Sequence, residues 1–321
     1  MRVYIAKRVL LFVPTLAIAS ALVFLVMRVL PGDVALAILV SRETPGVVAN
    51  EDDITRLRAQ LGLADPLPVQ YLTWVRSLAT GNAGLSLYTR RPVAELIGER
   101  LPVTLHLAVY TVLISLFVSI PLGALAAVRQ DRWPDYVVRA GTILGLATPG
   151  FWIGLIVLLL LVLLFRWVPS PVYYHVWEDA RENVSLLVFP AVILAWRFSS
   201  YQARMVRANL LEVLRQDYIR TAYSKGLAEP IVVLRHALRN AMLPVLTLIG
   251  GELTALMSGT VILENVFNVP GLGDALINAM RQRDYPVVEN LLMFYMTFTL
   301  TINLVIDLVY AVINPRIRYA E

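Results

Sequence analysis

The sequence predicts an all-α membrane protein with six transmembrane helices and a small helical external subdomain between the first two. Two observations support this prediction. Of the 321 residues, 58% are hydrophobic and 16% are charged, whereas an ordinary soluble domain holds roughly 45–50% apolar and about 25% charged residues. The apolar residues also gather in runs of about 20, the length that an α-helix needs to cross the hydrocarbon core of a bilayer. Lipid is therefore the solvent for most of this chain.

Five long apolar runs and one weaker run supply the six predicted spans. The weaker run is interrupted by Arg197, and one of the long runs contains a single acidic residue, Glu252. The last run continues past Asp307 as far as Ile313. In chain order the spans are 9–27, 104–128, 140–165, 183–203, 241–263 and 290–306.

The first span has the basic flank of a secretory signal peptide, formed by Arg2, Lys7 and Arg8. Its uncharged stretch is 19 residues long, which exceeds the roughly 7–15 residues of a signal-peptide core. No small-x-small cleavage site follows between Arg28 and Asp33. We therefore expect an uncleaved first helix.

The distribution of lysine and arginine predicts that both termini are cytoplasmic. With the N-terminus inside, the inner segments 1–8, 129–139, 204–240 and 314–321 hold 3, 3, 7 and 2 basic residues. The short outer loops 166–182 and 264–289 hold 2 each. Positive charge concentrates in cytoplasmic loops, and a loop as long as 29–103 does not contribute to this rule.

The long outer segment contains two amphipathic patterns. In 53–61, Ile54, Leu57 and Leu61 recur at helical spacing, and a second helical pattern fills 69–79. In the second pattern Tyr71 and Trp74 form part of the apolar face, and these residue types favour the membrane interface. We expect two short helices, with the face of Tyr71 and Trp74 at the membrane surface.

Several classes of function find no support in the sequence. The chain has no cysteine and three scattered histidines, so disulfide frameworks, Cys-ligated metals and helical zinc motifs are not indicated. Its two lysines, Lys7 and Lys225, do not lie in a P-loop, so we expect no ATP binding of that kind. The net charge of +5 is explained by arginines at membrane edges, and we do not infer nucleic-acid binding.

The segment DYIRTAYSKGLAEPIVVLRHALRNAMLP, residues 217–244, is charged and is broken by Gly226 and Pro230. Asp217 is suited to cap a helix that Gly226 ends in a left-handed conformation. Pro230 fits the first turn of a second helix that leads to the membrane. The pattern predicts a short helix, a sharp turn and another helix on the cytoplasmic face. From these residues alone, a merely basic inner loop is an equal alternative.

This segment resembles the EAA loop of ABC-importer permeases, as carried by the dipeptide, oligopeptide and nickel family. Arg220, Thr221 and Ala222 fall at the first three motif positions and Gly226 at its glycine, while 236–239 occupy the end. Other parts of the chain resemble the same family, and specifically its first-permease branch. These are LPGD at 30–33, PVQYL at 68–72, RLPVT at 100–104, VPGLG at 269–273, RDYPV at 283–287 and NPR at 314–316.

The resemblance implies a type I ABC-importer permease fold in a non-catalytic transport subunit of a prokaryotic inner membrane. Its implied partners are a second homologous permease chain, two ATPase subunits that bind ATP and Mg, and an external substrate-binding protein. No cofactor is implied for this chain. The short helix of the loop would sit in a groove of an ATPase, and its implied coupling residues are Arg220, Thr221, Ala222, Tyr223, Lys225, Gly226 and Leu227.

The family likeness favours peptide as cargo and also covers permeases for nickel chelates, glutathione and oligosaccharides. A self-sufficient channel or proton-coupled transporter, with Glu252 as its key residue, is the alternative from another class. The expected organisation is the N-terminal end and first span in 1–28, the external subdomain in 29–103 and a five-helix core in 104–313. The core carries the coupling loop in 204–240, and a cytoplasmic tail occupies 314–321.

Three charged residues lie within the predicted spans. Glu252 falls near the midplane, where an ionisable group usually faces a cavity; it either lines the translocation path or packs beside Gly250 and Gly251 at a helix crossing. Arg197 and Asp307 fall at similar depths and are predicted to form an ion pair. The alternatives are that Arg197 extends to the inner headgroups and that Asp307 accepts a hydrogen bond from a nearby hydroxyl.

Overall fold

The structure, a computed structural model, describes residues 2–29, 51–60, 62–170 and 172–313. Within these ranges the regular structure is helical, and Leu85 and Pro92 form an isolated antiparallel bridge. The all-α prediction is confirmed. The motifs at 30–33 and 314–316 and the predicted tail lie outside the described residues.

The described residues form twelve α-helices. We number them α1 to α12 in chain order and treat one π-helical segment, Val232–Ala237, separately. Their bounds are α1 Arg2–Val29, α2 Glu51–Gln60, α3 Leu67–Ala79, α4 Val93–Val128, α5 Trp133–Ala147, α6 Gly150–Phe165, α7 Ala180–Leu214, α8 Asp217–Ser224, α9 Glu229–Ile231, α10 Leu238–Val266, α11 Leu272–Arg281 and α12 Tyr285–Ile313.

Four helices in the described part of the chain are long and apolar enough to cross a membrane, namely α1, α4, α7 and α12. The pair α5 and α6 adds a fifth candidate if its two helices form one broken span. The predicted span 241–263 lies inside the single helix α10. The fold class therefore agrees with the prediction, and the count of six spans stays a prediction.

One predicted span is not a single helix. The run 140–165 is divided between α5 and α6, whose axes meet at 101°. The break falls at Thr148 and Pro149, where Thr148 is extended (φ −93°, ψ 128°). A proline lacks the backbone N–H and disfavours the helical conformation of the residue before it. Hydropathy alone did not reveal this bend, because both helices are apolar.

The chain divides into two compact units. One comprises Met1–Pro102 with Gly271–Glu321, and the other comprises Val103–Pro270. We call them the terminal unit and the central unit.

In the terminal unit, α1 packs along α12 and contacts α3. Phe24 of α1 lies against Tyr71 and Trp74, with ring centroids 5.5 and 6.0 Å apart. The Tyr71 hydroxyl also bonds Ser20 Oγ at 2.8 Å. The face of α3 that we expected at the membrane surface is thus used for an intramolecular contact, because an aromatic side chain on α1 matches it.

The core of the central unit joins α4, α6, α7 and α10. Its fully buried side chains include Leu107, Leu186, Leu187, Leu256, Leu263 and Phe267. Three described glycines of this unit, Gly123, Gly145 and Gly154, let helices approach closely. A Cβ at Gly123 would lie 2.6 Å from the Ala203 carbonyl oxygen, and one at Gly154 would lie 2.7 Å from Leu263 Cδ2.

Candidate functional site

The segment 217–244 folds as a helix, a turn and a second helical stretch. Helix α8 is followed by Gly226, which has φ +79°; this left-handed conformation is the one predicted. The Gly226 N–H donates to the Tyr223 carbonyl at 2.9 Å, and the Leu227 N–H donates to the Ala222 carbonyl at 3.4 Å. These bonds satisfy carbonyl groups at the helix end.

The predicted cap at the start of α8 is wrong in one detail. The N-cap position is Gln216, without a side-chain capping bond, and Asp217 is the first helical residue. Asp217 still places negative charge at the positive end of the helix dipole. Its carboxylate also lies 3.6 Å from the Arg220 guanidinium, and both side chains are exposed.

Two apolar side chains anchor α8 to the central unit. Ile219 and Ala222 are buried, three positions apart on one face. They belong to a cluster that we call the anchor cluster, built from Ala127, Leu210, Ile219, Ala222, Val232, Val233, Ala237 and Ala241. The cluster draws on α4, α7, the π-helical segment and α10, so displacement of α8 acts on several helices at once.

The opposite face of α8 is exposed and polar. Arg220 is 76% exposed and Tyr223 43% exposed, and Thr221 and Lys225 are exposed as well. Tyr218 on the flank accepts a hydrogen bond from Asn240 Nδ2 at 2.8 Å. The implied coupling residues therefore separate into an anchoring member, Ala222, a half-buried Leu227 and an exposed remainder.

The second helical stretch begins as predicted, with Pro230 in the first turn of α9. It then passes through the π-helical segment Val232–Ala237, which contains His236, before α10 begins. Single π turns inside helices are rare and occur often at functional sites. No periodicity in the sequence indicated this segment.

Glu252 takes part in a buried polar cluster of the central unit. Its Oε2 accepts a hydrogen bond from Gln202 Nε2. Gln202 Oε1 accepts from Ser119 Oγ at 2.7 Å, and Gln202 Nε2 also donates to Ser115 Oγ at 3.3 Å. In the described part of the chain, Glu252 Oε1 is buried and has no hydrogen-bond partner. The cluster joins α4, α7 and α10 through side chains that are all less than 9% exposed.

This geometry bears on the alternative in which Glu252 packs beside Gly250 and Gly251 at a helix crossing. A Cβ built on Gly251 would meet nothing within 4 Å, so this glycine makes no close helix contact. Glu252 is bonded to the Gln202 amide, and Gln202 in turn bonds the two serines. Whether Glu252 lines the path stays a prediction.

The predicted ion pair of Arg197 and Asp307 also stays a prediction. Arg197 is an exposed residue of α7. Asp307 lies in α12, and its side chain is outside the described residues.

The structure shows buried charged residues that the sequence analysis did not single out. Asp135 of α5 is fully buried, and its two oxygens accept from Arg207 Nε at 2.7 Å and Nη2 at 2.6 Å. Thr104 Oγ1 donates to the buried Glu264 at 2.8 Å. Asp135 lies in the segment 129–139, which was predicted to be a basic cytoplasmic loop. Its charged partner Arg207 lies 72 positions later on another helix.

The segment between α6 and α7 brings His175 close to His106 of α4, which is far away in sequence. The rings of His106 and His175 lie 6.4 Å apart, and His175 stacks on Trp177 at 4.5 Å. Burial raises the pKa of the Tyr173 hydroxyl, which lies 2.7 Å from His106 Nδ1. The described residues contain no group of three or more His, Cys, Asp or Glu that could hold a metal ion.

Comparison with known proteins identifies related chains along the full length. The family model described as binding-protein-dependent transport system inner membrane component matches residues 119–319, and the model of its N-terminal region matches 1–108. A probable peptide ABC transporter permease protein of Sinorhizobium fredii is 36% identical over 319 residues, 99% of this chain and 100% of the relative.

Two further comparisons agree with this result. A glutathione transport system permease protein of Salmonella choleraesuis is 38% identical over 317 residues, covering 98% of this chain and 99% of the relative. A crystal structure of an amino acid ABC transporter with histidines shares the fold, with a TM-score of 0.50 at 18% identity, over 67% of this chain and 92% of that chain. The chain therefore belongs to the family of binding-protein-dependent transport system inner membrane components, the membrane-spanning permeases of ABC transporters.

Proposed function

We propose that this chain is the permease subunit of an ATP-driven importer for di- or oligopeptides. It would form part of the translocation path, lined in part by Glu252, and would couple to separate ATPase subunits without catalysing a reaction itself. Relatives described as peptide permeases, at 36–38% identity over nearly the whole chain, support this cargo.

The observation that carries the proposal is the two-sided construction of α8. Its buried face, Ile219 and Ala222, enters the anchor cluster, while Arg220 and Tyr223 stay exposed. An eight-residue helix is too short to be stable alone in water. Its position is therefore fixed by packing against the rest of the unit. A surface that transmits motion from a partner needs such a fixed position.

The assembly that we propose contains a second homologous permease chain, two ATPase subunits that bind ATP and Mg, and an external substrate-binding protein. Both termini and α8 would face the cytoplasm, and 29–103 would form the external subdomain near the binding protein. The division into 1–28, 29–103, 104–313 and 314–321 is part of this proposal.

Glutathione is the alternative cargo, supported by the glutathione permease at 38% identity. Nickel chelates and oligosaccharides are further alternative cargoes. A self-sufficient channel or proton-coupled transporter receives less support, because Glu252 bonds to Gln202 and no second acidic or histidine side chain is found with it in the described cluster.

The coupling role is tested by reversing charge on the exposed face of α8. The double variant Arg220→Glu with Lys225→Glu is expected to lose co-purification with the ATPase subunits and ATP-driven peptide uptake into proteoliposomes. Both side chains are exposed, so folding should be unchanged. The matched control, Arg129→Glu with Arg132→Glu, reverses two exposed charges of another predicted cytoplasmic segment. Normal uptake by the α8 variant, or uptake without any ATPase, would contradict the proposal.

A further inference from the structure

The terminal unit contains a cavity with charged residues in its wall that the coupling mechanism does not use. Its volume is about 270 Å³, close to the lower end of the roughly 300–1,000 Å³ found for small-molecule pockets. The end of α1, helix α3, the segments 62–65 and 83–87 and the start of α12 enclose it. In the predicted topology, this end of the unit is external.

The charged side chains of the cavity are Arg28, Asp65 and Glu289, so its wall carries one positive and two negative charges. Arg28 is paired within the wall. Its Nη1 donates to Glu289 Oε1 at 2.7 Å and its Nε donates to Gln70 Oε1 at 3.1 Å. The guanidinium also lies 4.6 Å from the centre of the Phe24 ring.

The two carboxylates, by contrast, still have oxygens that can accept a hydrogen bond. Within the described part of the chain, neither Glu289 Oε2 nor the Asp65 carboxylate accepts a hydrogen bond. Glu289 is 5% exposed as a residue, and Asp65 lies at the exposed rim. The cavity therefore offers one deep and one outer carboxylate to a hydrogen-bond donor.

Two aromatic residues, Trp74 and Tyr285, complete the wall. Aromatic faces attract cations, and the attraction strengthens where water is excluded. A cavity with unused carboxylate oxygens, net negative charge and aromatic walls is complementary to an organic cation. Its size suits one charged group with a short chain rather than a whole oligopeptide.

We propose that this cavity binds the α-ammonium group of a peptide, with Glu289 and Asp65 as acceptors and Trp74 and Tyr285 as walls. The proposal rests on the proposed function, since it takes peptide as the cargo. It adds an external subsite that selects for a free N-terminus. Peptides and glutathione both carry such an ammonium group, so the subsite does not choose between them.

The test uses the full chain in lipid nanodiscs, with the dipeptide Ala-Ala and its N-acetylated form as probes. Binding is followed by tryptophan fluorescence, because Trp74 lines the cavity, and Trp74→Phe identifies the share of the signal from this residue. Ala-Ala is expected to change the emission of the wild type and N-acetyl-Ala-Ala is not. Ethylammonium is expected to compete with Ala-Ala.

The deciding variant is Asp65→Asn, which removes one charge at an exposed position and keeps the shape of the side chain. We expect its Kd for Ala-Ala to rise about tenfold or more, because the neutral amide can still accept the hydrogen bond but lacks the charge that strengthens a bond to an ammonium group. Glu51→Gln, an exposed acidic residue of α2 outside the cavity, is the matched control and should keep the wild-type Kd. Glu289→Gln should resemble Asp65→Asn.

Equal binding of the two dipeptides, or an unchanged Kd in both Asp65→Asn and Glu289→Gln, would overturn the inference. ATP-driven uptake is measured on the same preparations after addition of the ATPases and the binding protein. Uptake that persists while the ammonium preference is absent removes only the subsite. Ammonium-dependent binding without any ATP-driven uptake removes only the importer role.

Discussion

At the scale of single residues, the buried charges of the central unit are each held by a particular partner. Glu252 has the Gln202 amide, and Asp135 has the Arg207 guanidinium. The sequence predicted that Glu252 lies at membrane depth, because the apolar run around it is long. It did not show the partner, because Gln202 lies 50 positions earlier on another helix.

We expect Glu252→Leu to lower the free energy of unfolding by about 1–3 kcal/mol, because the buried Gln202 amide then lacks its main acceptor. Glu252→Gln should be close to the wild type, since its carbonyl oxygen can accept the same bond. Thermal unfolding of the full chain in one detergent measures both. Equal damage from Gln and Leu would show that the charge of Glu252, not its hydrogen bond, stabilises the fold.

Asp135→Asn is expected to destabilise the chain by about 3 kcal/mol, because it leaves the Arg207 guanidinium without its charged partner. The pair is bidentate, and Asp135 is fully buried while Arg207 is 21% exposed. The matched control is Asp217→Asn on α8, where the carboxylate is 96% exposed and no measurable change is expected. A similar unfolding temperature for both variants would mean that the Asp135 pair is energetically neutral.

At the scale of elements, the sequence predicted turns better than caps and bends. Gly226 and Pro230 have strong backbone preferences of their own, so their positions followed from the sequence. The N-cap of α8 lies at Gln216, one residue before the predicted Asp217, because several polar residues can occupy a cap. The bend at Pro149 was missed because both helices are apolar and their run was long enough for one span. The π-helical segment was missed because no periodicity in the sequence indicated it.

Gly226→Val should impair coupling and Gly226→Asn should retain most of it. Valine in a left-handed conformation costs about 1–2 kcal/mol, whereas asparagine tolerates that region better. A Cβ at this position meets nothing within 4 Å, so the difference between the variants arises from the backbone rather than from a clash. Peptide-stimulated ATP hydrolysis in the reconstituted complex is the measurement. Equal hydrolysis by the wild type and the valine variant would refute a role for this turn in coupling.

At the scale of the whole molecule, composition alone predicted the fold class. Hydrophobic content and run length indicate a helical membrane protein, because the hydrocarbon core admits only structures with internally satisfied backbone groups. The pairing of α1 with α12 in one unit and of α7 with α10 in the other was not predictable. Apolar helices in lipid carry little sequence information about their neighbours.

The predicted topology can be tested directly, because the chain contains no cysteine and any introduced thiol is the only one. We expect Asn82→Cys to react with a membrane-impermeant maleimide on intact cells, and Ser224→Cys to react only after permeabilisation. Both positions are exposed, so accessibility to the reagent depends on the side of the membrane. The opposite labelling pattern would place α8 outside and exclude its coupling role.

Two of the close-packed glycines, Gly123 and Gly154, differ in the mutations that they tolerate. Every missense change of a glycine codon adds at least a β-carbon. At Gly123 the first atom met is the main-chain oxygen of Ala203, which cannot turn aside, and at Gly154 it is the end of the Leu263 side chain, which can rotate. Every missense mutation at codon 123 is therefore expected to be selected against. At codon 154, a mutation to alanine is expected to be tolerated.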